Sequence, residues 1–163
     1  MQEHLILGGF FAAIIVLLFI RNWRSTLIAA IAIPTSIIGT FLIMALLGRS
    51  LNVISLAGLA FAVGMLVDNA IVVLENIFRH LRQGEDPRDA AINGRSEIGL
   101  AAISIPLADV VVFLPIAFMG GIVGRMLHEM AFTIVIAILV SGLVSVTLTP
   151  MLCSRLLRAE ASS

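Results

Sequence analysis

Long apolar runs constrain this chain more than any single motif. Five stretches carry almost nothing but aliphatic and small residues: about Leu5–Ile20, Thr26–Leu47, Val53–Phe78, Ile98–Phe118 and Ala131–Leu152. A helix rises 1.5 Å per residue, so roughly 20 residues cross the hydrocarbon core of a bilayer. The last four runs reach that length, and the first is shorter. None alternates apolar with polar residues as barrel strands do, and helices alone satisfy their backbone within one lipid-embedded segment. The chain therefore reads as all-α, a polytopic bundle of five transmembrane helices spanning residues 1–158. Composition agrees: 60% of the 163 residues are hydrophobic and 12% charged, whereas soluble domains carry about a quarter charged.

Breakers fall between the runs or at kinks. Arg21–Arg24 joins the first two runs, and Gly48–Ser50 joins the second and third. The long polar stretch is Arg79–Glu97. Within it, Asp86-Pro87 has the pattern of an N-cap followed by proline at the first helical position, predicting a short surface helix over about 87–93. Gly120, Gly121 and Gly124 mark the next turn. Pro34, Pro106 and Pro115 lie inside runs, where membrane helices tolerate proline if neighbours re-satisfy the backbone. The tail, Ala159–Ser163, reads as disordered.

All ten basic residues are arginine, and the net charge is zero. No basic face suits nucleic acid. Eight arginines fall on one side of the five-span topology (21, 24, 79, 82, 88, 95, 155 and 158) and two, Arg49 and Arg125, on the other. The positive-inside rule then makes the Arg79–Glu97 loop and the C-terminus cytoplasmic and the N-terminus external. The start of the chain reads as a first span, not a removable signal peptide. An external start implies a further span upstream. Cys153 is the single cysteine, which excludes an internal disulfide and disfavours a thiolate metal site. It reads as a packing residue, as do the scattered methionines.

Chemistry concentrates on the third run, SLAGLAFAVGMLVDNAIVVLENIFRHL. Asp68 lies near its middle, where an ionised aspartate costs about 2.5–3.5 kcal/mol even on the milder insertion scale. No basic residue lies at that depth in this chain, so a purely structural ion-pair partner would have to come from elsewhere. An intramembrane carboxyl of this kind can take up a proton on one side and release it on the other. Asn69 can hydrogen-bond either protonation state of its neighbour. Gly64 and Glu75 share the Asp68 face at helical spacing; Gly64 permits close approach of another helix. Glu75 is open to two readings, a relay acid or an i,i+4 pair with Arg79. Asn76 reads as a helix-packing hydrogen-bonder. Asp109, in the fourth run, is either a second relay acid or a packing hydrogen-bonder. His128 and Glu129 read as a solvated pair at the membrane boundary.

Two intramembrane aspartates also raise the class of intramembrane aspartyl proteases. Those enzymes carry GxGD, whereas Gly64-Met65-Leu66-Val67 and Pro106-Leu107-Ala108 precede the aspartates here. The chain is therefore not read as an enzyme, and no cofactor is implied. It holds no Walker sequence, so ATP is not its direct energy source.

GMLVDNAIVVLEN resembles the signature helix of the resistance–nodulation–division (RND) efflux permeases, in their hydrophobe/amphiphile multidrug branch. RNWRSTLIAAIAIPTSIIGTF, FLPIAFMGGIVGRM and ILVSGLVSVTLTPMLCSRLL follow in the family order. The resemblance places the chain at helices two to six of the N-terminal half of such a permease. It implies a homotrimeric, multi-pass inner-membrane pump driven by proton influx, joined to a periplasmic adaptor and an outer-membrane channel. It further implies that Asp68 carries the proton opposite a lysine from the C-terminal half. The multidrug branch commonly has two adjacent aspartates; Asn69 stands at the second position, so the relay rests on one carboxyl, with Asp109 or an acid outside this chain as candidate assistant. The external end of the first run then becomes periplasmic. The five helices by themselves are not expected to transport. The alternative class is a non-transporting subunit or remnant that only packs with partner helices.

Overall fold

The computed structural model describes residues 23–156. The first apolar run and the tail lie outside the described residues. Within them the chain forms five α-helices: α1 (Trp23–Leu46), α2 (Val53–Arg82), α3 (Pro87–Glu97), α4 (Gly99–Ala117) and α5 (Gly121–Leu156). All except α3 are long and apolar enough to cross a membrane. The all-α polytopic reading holds.

Local chemistry sets the ends. Asn52 caps α2, its side chain accepting from the Ser55 amide at 2.8 Å. Gly84, at φ 91°, lets the chain leave that helix in a left-handed turn. Asp86 caps α3 with Pro87 at its first position. This helix runs to Glu97, beyond the predicted surface segment, and Ile98 alone separates it from α4. Gly121, at φ 83°, opens α5, whereas Gly124 is already helical and buried against Met119. No breaker stands between Gly124 and Ala131, so α5 begins well before the apolar run. Its 36 residues would measure about 54 Å, and the 30 of α2 about 45 Å. Both exceed the roughly 30 Å of hydrocarbon.

The centre of the bundle is α5, which touches all four other helices. It runs parallel to α2, with Gly58 against Met130 near one end and Ile77 in a common core with Cys153 near the other. Gly58 is essential to that seam: a Cβ there would meet the Met130 carbonyl oxygen at 2.8 Å. A middle core joins Leu59, Ala62 and Leu66 of α2 to Ile134, Ala137 and Ile138 of α5. A second core, towards the Arg79 end, draws on all five helices, including Ile28, Val73, Ala91, Ala102 and Cys153. The cysteine is fully buried and fills space there. By contrast, α4 buries little and lies at the rim.

Hydroxyl side chains are mostly absorbed by their own helices. Thr35, Ser36, Thr40, Ser104, Thr133 and Thr147 each donate to the carbonyl four residues earlier, and Ser154 to the one three earlier. Such back-bonding satisfies a hydroxyl in lipid without a partner helix.

Candidate functional site

Asp68 sits at the midpoint of α2 and its side chain is exposed. Around it on the same face, Ala57, Ala60, Phe61, Gly64, Glu75 and Arg79 are also exposed. Their spacing of three, four and seven residues makes one stripe along the helix. The opposite face, with Leu66, Asn69, Ala70, Val73 and Ile77, is buried in the bundle. The described helices thus leave the acidic face of α2 open along its length.

Each expected site residue takes a definite place. Gly64 has nothing within 4 Å of where a Cβ would stand, so no described helix uses it for close approach. Asn69 is 5% exposed and turns into the bundle, away from the Asp68 face. Asp109, on α4, is half-buried and lies close enough to Asp68 for their charges to interact. The antiparallel register of α2 and α4 accounts for this. Phe61 and Phe113 meet edge to face at 5.8 Å. Two turns along α2 and one turn back along α4 reach Asp68 and Asp109 at similar depth. The Glu75 carboxylate has no ion pair or hydrogen bond among the described residues, so the Glu75–Arg79 pair, one of its two readings, is not formed.

Arg79 is engaged elsewhere. It pairs with Glu97, which also accepts from the His80 ring at 2.8 Å and from the Asn76 amide at 3.3 Å. The other ring nitrogen of His80 meets Glu85 at 2.8 Å, and Asn93 donates to Glu85 at 3.0 Å. Only an imidazolium can donate at both nitrogens. Hydrogen bonds from Arg79, then His80 and Asn76, hold the Glu97 carboxyl down at about 2. The His80 hydrogen bond, then that of Asn93, lowers Glu85 as well. Asn76 donates to the Gly94 carbonyl at 2.7 Å, and a Cβ at Gly94 would meet the Ile77 backbone at 2.9 Å. The result is a latch that seats α3 flat against the end of α2. Beside it opens a cleft of about 630 Å³ bordered by Ile71, Glu75, Arg79, Arg82 and Ile98.

At the other end, Glu129 and His128 are half-buried and do not pair with each other. Glu129 accepts from Arg49 at 2.6 Å, and the Arg49 guanidinium lies 4.5 Å from the Phe132 ring centre. His128 meets the Ala117 carbonyl at 2.5 Å through Nδ1. These contacts tie the α1–α2 turn and the end of α4 to α5. Sequence spacing could not reveal the Arg49–Glu129 pair, because its members are 80 residues apart. The hydroxyls of Ser141, Ser145 and Thr149 were equally silent in the sequence, yet all three are buried on one face of α5. Among the described residues no group of three His, Cys, Asp or Glu side chains is placed to hold a metal ion.

A carboxyl on the open face of a membrane-length helix is an ionisable residue of the kind that marks a functional site in a membrane protein. Comparison with known proteins gives the family. The chain is 49% identical over 158 residues to "Multidrug resistance protein MdtC" of Pectobacterium atrosepticum, covering 97% of this chain and 15% of that protein. It is 49% identical over 159 residues to the proteins of the same name from Escherichia coli and Shigella flexneri, covering 98% of this chain and 16% of each. The chain thus spans about a sixth of the length of these relatives. The sequence model of the AcrB/AcrD/AcrF family matches residues 1–163, its full extent. With that match and the collinear motifs around Asp68, the chain belongs to the AcrB/AcrD/AcrF family, the RND multidrug efflux permeases.

Proposed function

We propose that this chain is the proton-handling part of a permease that exports drugs or other amphiphiles in exchange for protons, with Asp68 as the carrier. The observation that carries this reading is the exposed Asp68 carboxyl at mid-helix, on a face the described bundle leaves open. An acid in that position is costly unless another helix supplies a compensating group, and a basic residue from the C-terminal half of the permease fits the need. Protonation would neutralise Asp68 and release that partner, so each proton taken up changes which helix packing is favoured. Such coupling of a local charge to a two-state packing is how ion binding drives conformational exchange.

Asp109 and Glu75 are the candidate assistants. The first lies within electrostatic reach of Asp68, and the second shares its face towards the latch. Asn69 takes no direct part in carrying charge. The arginine bias puts the latch end in the cytoplasm and the Arg49–Glu129 end in the periplasm. A homotrimer in the inner membrane, with a periplasmic adaptor and an outer-membrane channel, follows from the family reading. Export of several chemical classes is in keeping with relatives named for multidrug resistance.

The test is Asp68→Asn in the complete permease, scored by drug resistance and by proton flux in reconstituted vesicles. Both are expected to fall to the level of vesicles lacking the pump, with normal amounts in the membrane. Wild-type resistance in a normally expressed variant would sink the proposal.

A further inference from the structure

Within the latch, one side chain meets two carboxylates from different parts of the chain. His80, in the last turn of α2, bonds Glu85 through Nδ1 and Glu97 through Nε2, each at 2.8 Å. Glu85 stands in the turn that leads into α3, and Glu97 is the last residue of that helix. A single ring therefore joins α2 to both ends of α3. A bond to a carboxylate needs an N–H at that nitrogen; the imidazolium has two, and the neutral ring has one. On losing its proton, His80 can keep one carboxylate and must turn a lone pair towards the other. That second tie becomes repulsive and opens.

The charges around the ring make that proton matter. Arg79 and the imidazolium come from α2, Glu85 from the turn and Glu97 from α3, so the group is balanced only while His80 is charged. Asn76 and Asn93 add neutral donors. Arg82, Asp86, Arg88, Asp89, Arg95 and, on α5, Arg155 are exposed and form no ion pair with the group. No charged residue of α4 lies at this end. The Arg79–Glu97 pair is about half exposed, and such pairs contribute little. The His80 side chain is 14% exposed, so water replaces a lost bond there poorly. Its bonds to Glu85, then Glu97, raise the ring above its ordinary value of 6.5. A raised histidine stabilises the seated helix fully below the free-ring value. That contribution is lost as pH rises through the value of the bound ring.

We propose that His80 is a pH-sensitive pin: charged, it holds both ends of α3 against α2, and on losing its proton it lets that helix loosen. The pin responds to rising pH on its own side of the membrane. The helix it controls is also the link between the two acid-bearing spans. Only Ile98 separates α3 from α4, which carries Asp109, and α3 packs on α2, which carries Asp68. Seating of α3 therefore sets how α4 lies against α2. The pin does not depend on any transport reading. Its role in adjusting Asp109 relative to Asp68 rests on Asp68 being the carrier.

The experiment is amide hydrogen exchange of the complete permease in lipid nanodiscs, scanned from about pH 6 to about pH 9 and corrected for the intrinsic effect of pH on exchange. In the wild type, protection of residues 87–97 is expected to fall severalfold as pH rises, along the curve of one titrating group. The buried segment 134–138 of α5 should stay protected throughout. His80→Gln keeps a donor without the charge, and His80→Arg keeps the charge at every pH. In both variants the dependence on pH should vanish. A flat wild-type profile overturns the proposal, as does an equal fall in residues 134–138 or a fall that persists in either variant. If one variant does not fold, the other decides with the wild type. The outcome is separable from the transport reading. The expected wild-type profile together with full transport by Asp68→Asn would keep the pin and discard the carrier.

Discussion

Asp68 and Asn69 are neighbours in sequence and face different environments: the aspartate lies on the open side of α2, and the asparagine is buried against α5. Successive helical residues diverge by about 100°, enough to separate a surface acid from a core amide. This divergence gives the two neighbours different requirements. A carboxylate at position 69 would have to be buried inside the bundle, whereas the amide needs only hydrogen bonds.

Asp109→Asn tests whether the second acid shares the proton. Its half-buried place near Asp68 predicts transport reduced severalfold but not abolished, read as drug resistance and as the pH dependence of proton flux in vesicles. Resistance and a pH profile identical to wild type would assign Asp109 to packing.

Two glycines of the same helix pair should respond oppositely to alanine. Gly94→Ala drives a methyl into the Ile77 backbone, predicting a loss of about 1–3 kcal/mol. Gly64→Ala meets nothing among the described residues and should stabilise the five-helix chain by up to about 1 kcal/mol through helix propensity. Thermal unfolding in detergent reads both. If another helix packs at Gly64 in the complete permease, the same change there should impair transport.

The latch should open in acid. Glu97 is held down at about 2 by its bonds to Arg79, His80 and Asn76, against an ordinary value of 4.5. A depressed carboxyl stabilises the folded form above its unfolded value and loses that contribution as pH falls through its folded one. Seating of α3 should therefore be intact above about pH 4.5 for as long as His80, raised by its bonds to Glu85 and Glu97, stays an imidazolium, and weaken progressively towards about pH 2. Amide exchange of α3 against pH checks this, and Glu97→Gln should show the loosened state at neutral pH.

Arg49→Ala should loosen the opposite end of the bundle. It removes both the Glu129 ion pair and the stack on Phe132, and leaves Glu129 with a buried oxygen that already lacks a partner among the described residues. The pair is partly solvated, so a loss of about 1 kcal/mol is expected in thermal unfolding. Arg49→Lys should recover only part of it, because an ammonium does not reproduce the planar stack. A double-mutant cycle with Glu129→Gln isolates the pair.

Sequence alone determined that this chain forms helices long and apolar enough to cross a membrane and which of them holds a mid-span aspartate. Apolar run length and the energetic cost of a mid-span aspartate are local properties, readable one segment at a time. Gly64, Asp68 and Glu75 share a face because helical periodicity requires it. The partners of those faces were decided only by tertiary structure. Arg79 lies one turn from Glu75, yet α3 folds back and presents Glu97, with His80 and Asn76 completing a better-satisfied set of hydrogen bonds. Asp109 comes near Asp68 only because α4 runs antiparallel beside α2. Ser145 and Thr149 look in the sequence like the back-bonded hydroxyls, yet helix packing buries them without a hydrogen-bond partner among the described residues. Periodicity fixes where a side chain points around its own helix axis, but which neighbour it meets depends on helix packing between residues far apart in the chain.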